Sequence, residues 1–447
     1  MTSTPAHEAA QNSDHGEEPM SLRAYRAASR MAGPVARMAL RQRLKKGKED
    51  PDRIDERQGT AGATRPEGPL LWIHGASVGE SLSVLPLVRR LSELSPALSF
   101  LVTTGTVTSA RLMAERLPAR AIHQFIPLDH PQFVERFLDH WQPDAAVFVE
   151  SEFWPNLILG ARARTDAMAL VNGRVSPKSF DSWTKRRGTI RYLLDSFDVI
   201  IAQDHQNAER LQTLSGRDVP TYGNLKNSAP ALPVDDTELA AMRSAIGTRP
   251  VWLAASSHPG EEEFIFDAHK ILRNEFPDLL TLLAPRHPER GDTVREIGRG
   301  AGLTCMLRSE GGDLTDDTQV YIADTLGELG LFYRLSSVSF VGGSLVEKGG
   351  HNPLEPARLG CAILHGPYTF NFVETYGEMR QAGGAALVRN ERELATAVRR
   401  LLGDEKTRAA MATTAKNAAE ASAERVLTNV AKDLMARLSQ AARAIQE

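Results

Sequence analysis

Short apolar segments of strand length alternate with segments of helical periodicity along most of this chain, and this alternation restricts the fold more than any other feature. Successive parallel strands need long crossover connections, usually helices, so the pattern is typical of doubly wound α/β sheets. A first series of strands is predicted at Leu70–His74, Ser99–Thr103, Ile122–Ile126, Ala145–Glu150, Ala167–Asn172 and Val199–Gln203. A second is predicted at Val251–Ala255, Leu279–Ala284, Val320–Ala323, Val338–Val341, Ala362–Leu364 and Ala385–Val388.

The two series are separated by a break that contains Tyr222-Gly223-Asn224 and then Pro230 and Pro233. A chain of 447 residues is also too long for one core. We therefore predict two Rossmann-like domains, residues 49–223 and 237–447, joined by a linker at 224–236, with a final helix in the second. Residues 1–20 are polar and acidic and are predicted to be a disordered tail.

The overall composition, 42% hydrophobic and 24% charged, is that of an ordinary globular protein. A net charge of −3 excludes a globally basic nucleic-acid binder, so no nucleic-acid partner is expected. The two cysteines, Cys305 and Cys361, lack metal-binding spacing, and neither GxxxxGK[ST] nor a GxGxxG after a strand occurs. We expect no metal and no cofactor.

Residues 21–48 form a basic segment that precedes the first strand series. No acidic residue occurs from Pro19 to Lys48, and apolar residues recur at helical spacing, interrupted once at Gly33-Pro34. A basic amphipathic helix on an anionic membrane surface is the favoured interpretation. The alternative is a solvated basic helix packed on its own domain.

A glycine-rich loop connects a predicted strand at Ser339 to a predicted helix near Asn352-Pro353. Asn352 is a plausible N-cap, and Pro353 suits the first helical position. Glycines allow close approach of the backbone, and a helix N-terminus offers unpaired N–H groups, so the loop can hold a phosphate. Glu355 could accept hydrogen bonds from ribose or base hydroxyls. The alternative is an ordinary, well-capped turn.

Carboxylates follow two strands of the first series. Glu80 falls in the first turn of the helix after His74-Gly75, where it could act as a base or simply complete a capping box with Ser77. Glu150 and Glu152 would share one side of an extended chain, whereas in a turn one could serve the site and the other cap a helix.

Other polar groups mark further strand ends. Arg174 follows the fifth strand, Lys226 lies in the break between the two series, and Ser256 follows the first strand of the second series. Arg286, held between prolines, is suited to bidentate contact with a phosphate or a carboxylate. Each of these turns could also be a capping device.

Together these motifs resemble the transferases of 3-deoxy-D-manno-octulosonic acid (Kdo) in lipopolysaccharide synthesis, glycosyltransferase family 30. The resemblance is carried by HGASVGE, ESEFWPNLI, NGRVSPKS, GNLKNS, SSHPGEEE, PRHPER, DTLGELGLFY and GGHNPLEPA, with KGKEDPDRIDERQG near the N-terminus. It implies a GT-B fold, in which two Rossmann-like domains face a central cleft. It also implies metal-independent, inverting transfer of Kdo from CMP-Kdo to the lipid A precursor, lipid IVA.

The resemblance also implies roles for individual residues. Glu80 would be the general base, and Lys226 with one of Glu150 or Glu152 would stabilise the transition state. The first domain would take the acceptor and the second CMP-Kdo. Residues implied for CMP are Pro285, Arg286, Leu326, Gly327, Glu328, Asn352, Pro353, Leu354 and Glu355, and Ser77, Arg174 and Ser256 are further substrate contacts.

Two departures from the family pattern stand out. Family members often begin with a hydrophobic anchor, whereas this N-terminal region is basic and only moderately apolar. We therefore expect peripheral association with the anionic, cytoplasmic face of the inner membrane. Phe153 replaces the usual aliphatic residue before Trp-Pro, which we expect to be neutral for packing.

Two other functions fit parts of the pattern. One is a GT-B transferase with a UDP-sugar donor, because the spacing of Glu347 and Glu355 occurs in retaining enzymes of that fold; Glu347, however, is predicted to be a solvated loop residue. The other is a non-catalytic, membrane-associated protein that binds a nucleotide sugar.

Overall fold

The computed structural model describes residues 17–312 and 314–444, and these form two compact units. The first unit contains the described residues up to Ala229 and those from Ala423 onward, and the second is Pro230–Ser422. Of the predicted disordered tail, residues 1–16 lie outside the described residues. Glu18 and Pro19 precede the first helix, and Glu18 forms an ion pair with Arg26 at 3.2 Å.

The first unit is built on six parallel strands in the order β3-β2-β1-β4-β5-β6. Nearly continuous apolar sequence in these strands reflects burial on both faces. The strands are β1 (Leu70–His74), β2 (Ser99–Thr104), β3 (Ala121–Phe125), β4 (Ala145–Val149), β5 (Ala167–Gly173) and β6 (Val199–Ala202). All six predicted strands are confirmed to within a residue or so at each end.

Helices cover both faces of the first sheet, and most of them pack an apolar stripe against it. They are α1 (Met20–Met31), α2 (Gly33–Lys45), α3 (Val78–Leu94), α4 (Val107–Arg116), α5 (Pro131–Trp141), α6 (Pro155–Arg162), α7 (Pro177–Thr184), α8 (Arg187–Leu194) and α9 (His205–Ser215). Short 3₁₀ helices occupy Pro51–Gln58 and Leu225–Ser228.

The basic segment at 21–48 forms α1 and α2, separated near the predicted break at Gly33-Pro34. Its apolar residues divide between two surfaces. Leu22 and Leu40 are buried in the first unit, whereas Met31, 84% exposed, faces solvent together with Met20, Val35 and Met38. The α1–α2 segment therefore packs on its own domain and also exposes an apolar surface. In the described part of the chain no helix is long and apolar enough to span a membrane.

The second unit contains seven parallel strands in the order β13-β12-β11-β7-β8-β10-β9. They are β7 (Val251–Ser257), β8 (Leu280–Pro285), β9 (Cys305–Leu307), β10 (Val320–Ile322), β11 (Val338–Val341), β12 (Ala362–His365) and β13 (Ala385–Leu387). The six predicted strands are confirmed. The edge strand β9 was not predicted, because three residues give too short an apolar run.

The helices that follow in the chain are α10 (Asp236–Ile246), α11 (Glu262–Arg273), α12 (Gly291–Gly300), α13 (Leu329–Leu335), α14 (Leu354–Arg358), α15 (Val373–Ala382), α16 (Glu391–Gly403) and α17 (Glu405–Ala444). The predicted fold class, two Rossmann-like domains with parallel sheets, is confirmed.

Two predicted boundaries need correction. The linker predicted at 224–236 is shorter, because Leu225 is buried in the core of the first unit and Asp235 caps α10. The second domain does not extend to residue 447. Val426, Val430, Ala431 and Leu434 of α17 lie in the core of the first unit, because their apolar side chains complete one face of its sheet.

Candidate active site

The strand order of the first sheet reverses between β1 and β4, which lie side by side. In open α/β sheets such a switch point leaves a crevice at the carboxyl ends of the strands, where ligands bind. His74 ends β1 and Glu150 directly follows β4. The chain segments that carry Glu80 and Glu150 therefore begin at neighbouring strand ends.

Glu80 lies in the first turn of α3 and is 8% exposed. Its Oε2 accepts a hydrogen bond from the backbone N–H of Ala76 at 2.7 Å, and its Oε1 accepts one from the hydroxyl of Ser77 at 2.6 Å. The Ser77 hydroxyl also caps α3 by accepting from the N–H of Glu80. Of the capping box weighed as an alternative, the N-cap bond is present, but the carboxylate binds the N–H of Ala76, one residue before the N-cap, instead of that of Ser77. These bonds fix the position of the carboxylate.

Glu150 forms an ion pair with Lys226, with Nζ of Lys226 2.5 Å from Oε1 of Glu150. Asn172 donates a hydrogen bond to the same oxygen and accepts one from the N–H of Leu225, so it links Glu150 to the turn that carries Lys226. Lys226 extends past Gly79, where a Cβ would lie 3.6 Å from its Cε. The cation therefore adjoins the residue before Glu80.

Backbone strain marks the same strand ends. Glu150 has φ of 63° and Asn172 has φ of 54°, in the left-handed region that L-residues seldom adopt. Such strain persists only where the surroundings enforce it, and it is common at functional sites. Sequence reasoning did not single out Asn172, although a polar residue ending a buried strand was the available signal.

Glu152 belongs to a separate group from Glu150. Its Oε2 lies 3.6 Å from Nε2 of His74 and accepts a hydrogen bond from the indole N–H of Trp154 at 2.6 Å. Burial opposes ionisation, but His74 and Trp154 outweigh it, and the pKa of Glu152 is lowered from its ordinary value. Of the two carboxylates left open by the sequence, Glu150 is the one paired with Lys226.

The sheet of the second unit has its own switch point, between β7 and β11. Ser256 near the end of β7 has φ of 59°, and the strand register shifts there. A Cβ on Gly342 would lie 2.5 Å from the carbonyl oxygen of Ser256, so only glycine allows this close approach of the two loops. The glycine loop and Ser256 are thus brought together.

Glu261 holds these loops in place, and the sequence did not predict this role. It is fully buried and accepts backbone N–H bonds from His258, Gly343, Ser344 and Leu345, at 2.6 to 3.0 Å. Burial raises the pKa of Glu261, against the effect of these four donors. The available signal was a glutamate beside a strand end with a glycine loop elsewhere in the chain.

The helix after the glycine loop begins one residue later than predicted. Leu354 is the first residue of α14, Pro353 is its N-cap, and Oδ1 of Asn352 accepts a hydrogen bond from the N–H of Leu354 at 3.1 Å. Asn352 therefore still caps the turn. Burial raises the pKa of Glu355, while Asn352 and nearby arginines oppose that effect.

Arg286 follows β8, and its side chain is exposed, without an ion pair or side-chain hydrogen bond in the described residues. Its charge adds to burial and to His258 in lowering the pKa of His351, and it partly opposes the rise that burial causes in the pKa of Glu355, so it lies near α14. His258 and His351 stack with Nε2 atoms 2.9 Å apart, and burial holds the pKa of His351 at about 4. Arg286 thus lies near a stacked histidine pair in which both pKa values are lowered, chiefly by burial.

The turn that contains Leu326, Gly327 and Glu328 has a structural role of its own. Leu326 is 82% exposed and Gly327 has φ of 87°. Glu328 forms a bidentate ion pair with Arg308, which lowers the pKa of Glu328. Because the carboxylate of Glu328 pairs with Arg308, a nucleotide at this turn would contact the backbone of the turn and Leu326.

Comparisons with known proteins identify the family. A family model described as 3-deoxy-D-manno-octulosonic-acid transferase (kdotransferase) matches residues 52–229. The 3-deoxy-D-manno-octulosonic acid transferase of Rickettsia bellii is 36% identical over 389 residues, which cover 87% of this chain and 92% of that protein. The corresponding protein of Haemophilus influenzae is 35% identical and covers 80% of this chain and 84% of its own length. The chain belongs to the Kdo transferase family of glycosyltransferases.

A solved structure supports the fold. A glycosyltransferase from Rickettsia africae is 11% identical, covers 83% of this chain and 98% of that chain, and gives a TM-score of 0.55. The family model and the relatives described above confirm the predicted enzyme class, a Kdo transferase, at the level of the family. Glu347, on which the UDP-sugar alternative depended, is exposed in its loop, as predicted.

Proposed function

We propose that this Kdo transferase takes Kdo from CMP-Kdo and transfers it to the lipid A precursor, lipid IVA, with inversion at the anomeric carbon and without a metal ion. The observation that carries the proposal is the grouping of Glu80, Lys226 and Glu150 at the switch point of the first sheet. In the described residues no group of three or more His, Cys, Asp and Glu side chains is arranged to hold a metal.

Glu80 is assigned as the general base. The acceptor hydroxyl oxygen attacks the anomeric carbon of Kdo and transfers its proton to the carboxylate of Glu80. The bond from that carbon to the CMP phosphate breaks, and CMP leaves with the electron pair. Base catalysis of this kind contributes about 10²–10⁴-fold to a rate. The bonds from Ala76 and Ser77 support the role, because they hold the carboxylate in one position.

Lys226 and Glu150 are assigned to transition-state stabilisation. An ammonium beside the base favours the negative charge that develops on reacting oxygens. Glu150 and Asn172 hold that ammonium in place, so no reorganisation is needed as charge develops. Glu152, which is bound to His74 and Trp154, is a positioning group in this scheme.

CMP is assigned to the second unit. Its phosphate would contact Arg286, Ser256 and the backbone around Asn352 and Pro353, and Glu355 would accept hydrogen bonds from ribose or base groups. Pro285 and Leu354 would shape the pocket, with Leu326 and Gly327 at its border. The raised pKa of Glu355 and the unpaired guanidinium of Arg286 support this assignment.

Peripheral binding to the cytoplasmic face of the inner membrane is assigned to α1 and α2. Exposed Met20, Met31, Val35 and Met38 are interleaved with arginines, a combination that suits an anionic lipid surface. Sedimentation with vesicles containing anionic lipid tests this directly. A Met31→Glu/Met38→Glu variant should remain in the supernatant. Met435→Glu cannot serve as its control, because Met435 packs on the core of the first unit and is not a surface methionine.

Transfer itself is tested with purified protein, enzymatically generated CMP-Kdo and tetraacyl lipid A precursor, without divalent metal in the transfer step. A product heavier by one or more Kdo units is expected by mass spectrometry. Absence of product with CMP binding intact would contradict the assigned acceptor. Absence of CMP binding would contradict the donor.

A further inference from the structure

A pocket of about 200 Å³ opens in the first unit after the ends of β4 and β5. Glu152, Phe153 and Trp154 line one part of it, and Arg174, Ser179 and Trp183 line another. Glu152 also contacts His74 at the switch point. Through Glu152 and His74 the pocket therefore adjoins the switch point of the first sheet.

Aromatic rings form much of the wall. Trp154 is 46% exposed, yet its indole N–H bond to Glu152 fixes its orientation. Phe153 packs edge-to-face on Trp183, with centroids 6.5 Å apart and planes at 87°. Large aromatic side chains left exposed beside polar groups mark a ligand surface. A fixed indole face suits the apolar C–H face of a pyranose ring.

Positive charge lies at the pocket and beyond it. Arg174 is exposed, and within the described ranges its guanidinium makes no ion pair or side-chain hydrogen bond. Lys178, Lys185 and Arg186, on α7 and just after it, likewise have no ion pair among the described residues. The one carboxylate in the wall, Glu152, is already bound to His74 and Trp154. The free donors at this site therefore favour an anion, and guanidinium suits phosphate.

We propose that this pocket binds one phosphorylated glucosamine ring of the acceptor, with the ring against Trp154 and the phosphate on Arg174. The assignment rests on the proposed function and adds to it the site of acceptor recognition. Pockets for drug-sized ligands measure about 300–1,000 Å³. A volume of about 200 Å³ therefore fits one sugar ring with its phosphate and leaves the rest of the acceptor outside.

The test compares Arg174→Gln with wild type on two acceptors, the phosphorylated lipid A precursor and the same precursor after enzymatic dephosphorylation. Arg174→Gln should raise KM for the phosphorylated acceptor about tenfold or more, since bonds to charged groups contribute about 1.5–3 kcal/mol. On the dephosphorylated acceptor the variant and wild type should have the same KM. KM for CMP-Kdo should stay unchanged throughout. Arg111→Gln is the matched control, because Arg111 is an exposed arginine on α4, away from the pocket.

A second variant separates the ring from the phosphate. Trp154→Ala should raise KM for both acceptors by a similar factor, because both carry the sugar ring, and its thermal unfolding should match wild type. If Arg174→Gln raises KM by the same factor for both acceptors, the assignment of phosphate to Arg174 is overturned. A wild-type KM for Trp154→Ala on both acceptors would overturn the assignment of the ring.

The design also separates this inference from the proposed function. Suppose that the wild-type enzyme transfers Kdo while Arg174→Gln keeps the wild-type KM for the phosphorylated acceptor. That pair of results would overturn the pocket assignment and leave the proposed function intact. If wild type transfers no Kdo, the proposed function fails. The pocket is then judged by binding: weaker retention of Arg174→Gln than of Arg111→Gln on micelles of phosphorylated precursor supports it, and equal retention overturns it.

Discussion

Charged groups are held differently at the carboxyl ends of the two sheets. In the first unit, charged side chains hold one another: Lys226 pairs with Glu150, and Glu152 lies beside His74. In the second unit, one buried carboxylate, Glu261, gathers the backbone N–H groups of two loops, and the cation Arg286 is left unpaired. The first arrangement is suited to moving a proton, and the second to receiving an anion.

The difference indicates how each region should respond to substitution. Preorganised side chains stabilise a transition state because they need not rearrange as charge develops. A backbone cradle depends instead on whatever holds its loops together. We therefore expect substitutions in the first group to change turnover and substitutions in the second to change stability or nucleotide affinity.

The largest effect is expected for Glu80→Gln. Glutamine keeps the shape of the side chain and can still hydrogen-bond near Ala76 and Ser77, but it cannot accept the proton. We expect kcat to fall about 10²–10⁴-fold, with CMP affinity and thermal unfolding unchanged. Glu347→Gln, an exposed loop carboxylate, should retain wild-type kcat. Unchanged turnover in Glu80→Gln would remove Glu80 from the mechanism.

Glu261→Ala should damage the second unit most. It leaves four backbone N–H groups without their acceptor, and unsatisfied buried groups cost about 1–3 kcal/mol each, so we expect a loss of about 3 kcal/mol or more. Chemical denaturation and CMP titration measure this loss. Glu263→Ala is the matched control, because Glu263 lies in the same helical turn but is exposed. Equal stability of the two variants would show that Glu261 does not organise these loops.

Arg286→Gln should weaken nucleotide binding without affecting folding, since the side chain is exposed and unpaired in the described structure. Loss of a charge-assisted contact of about 1.5–3 kcal/mol corresponds to a Kd for CMP about 10- to 100-fold higher. Calorimetric titration of CMP gives the value directly. Arg392→Gln, on the exposed surface of α16, should bind CMP like wild type. If both variants bind alike, Arg286 does not contact the phosphate.

The last expected difference is a pH dependence of stability that is larger in the second unit. Burial lowers the pKa of His269 and of His365 to about 4. An unfolded histidine binds a proton near pH 6.5, so between about 6.5 and 4 the unfolded state binds more protons and stability falls as pH falls. Each such histidine contributes a slope of about 1.4 kcal/mol per pH unit.

Hydrogen exchange at pH 7.5 and 5 measures this for each unit, and His269→Gln should reduce the slope in the second unit. The first unit has its own buried histidine, His123, whose pKa burial lowers to about 3. Equal loss of protection in the two units would contradict the expected contrast.

The sequence predicted the strands well because buried parallel strands are short, apolar and bounded by polar turns, and β1 and β11 match to the residue. The site was predictable where a local motif carries it, as with Ser77 and Glu80. Glu261 was not, because its four partners lie in loops that only folding brings together. Likewise, the pairing of Glu150 rather than Glu152 with Lys226 depends on the left-handed turn at Glu150, which residue type does not reveal.

The division of α17 between the two units has a consequence for synthesis. The second unit is one continuous stretch and can fold as soon as it leaves the ribosome, whereas the first needs Val426, Val430 and Leu434 to complete its core. We therefore expect the unit made first to be finished last, and to depend on chaperones until translation ends. A premature stop after Ser422 would remove no proposed catalytic residue and yet leave the domain of Glu80 uncovered.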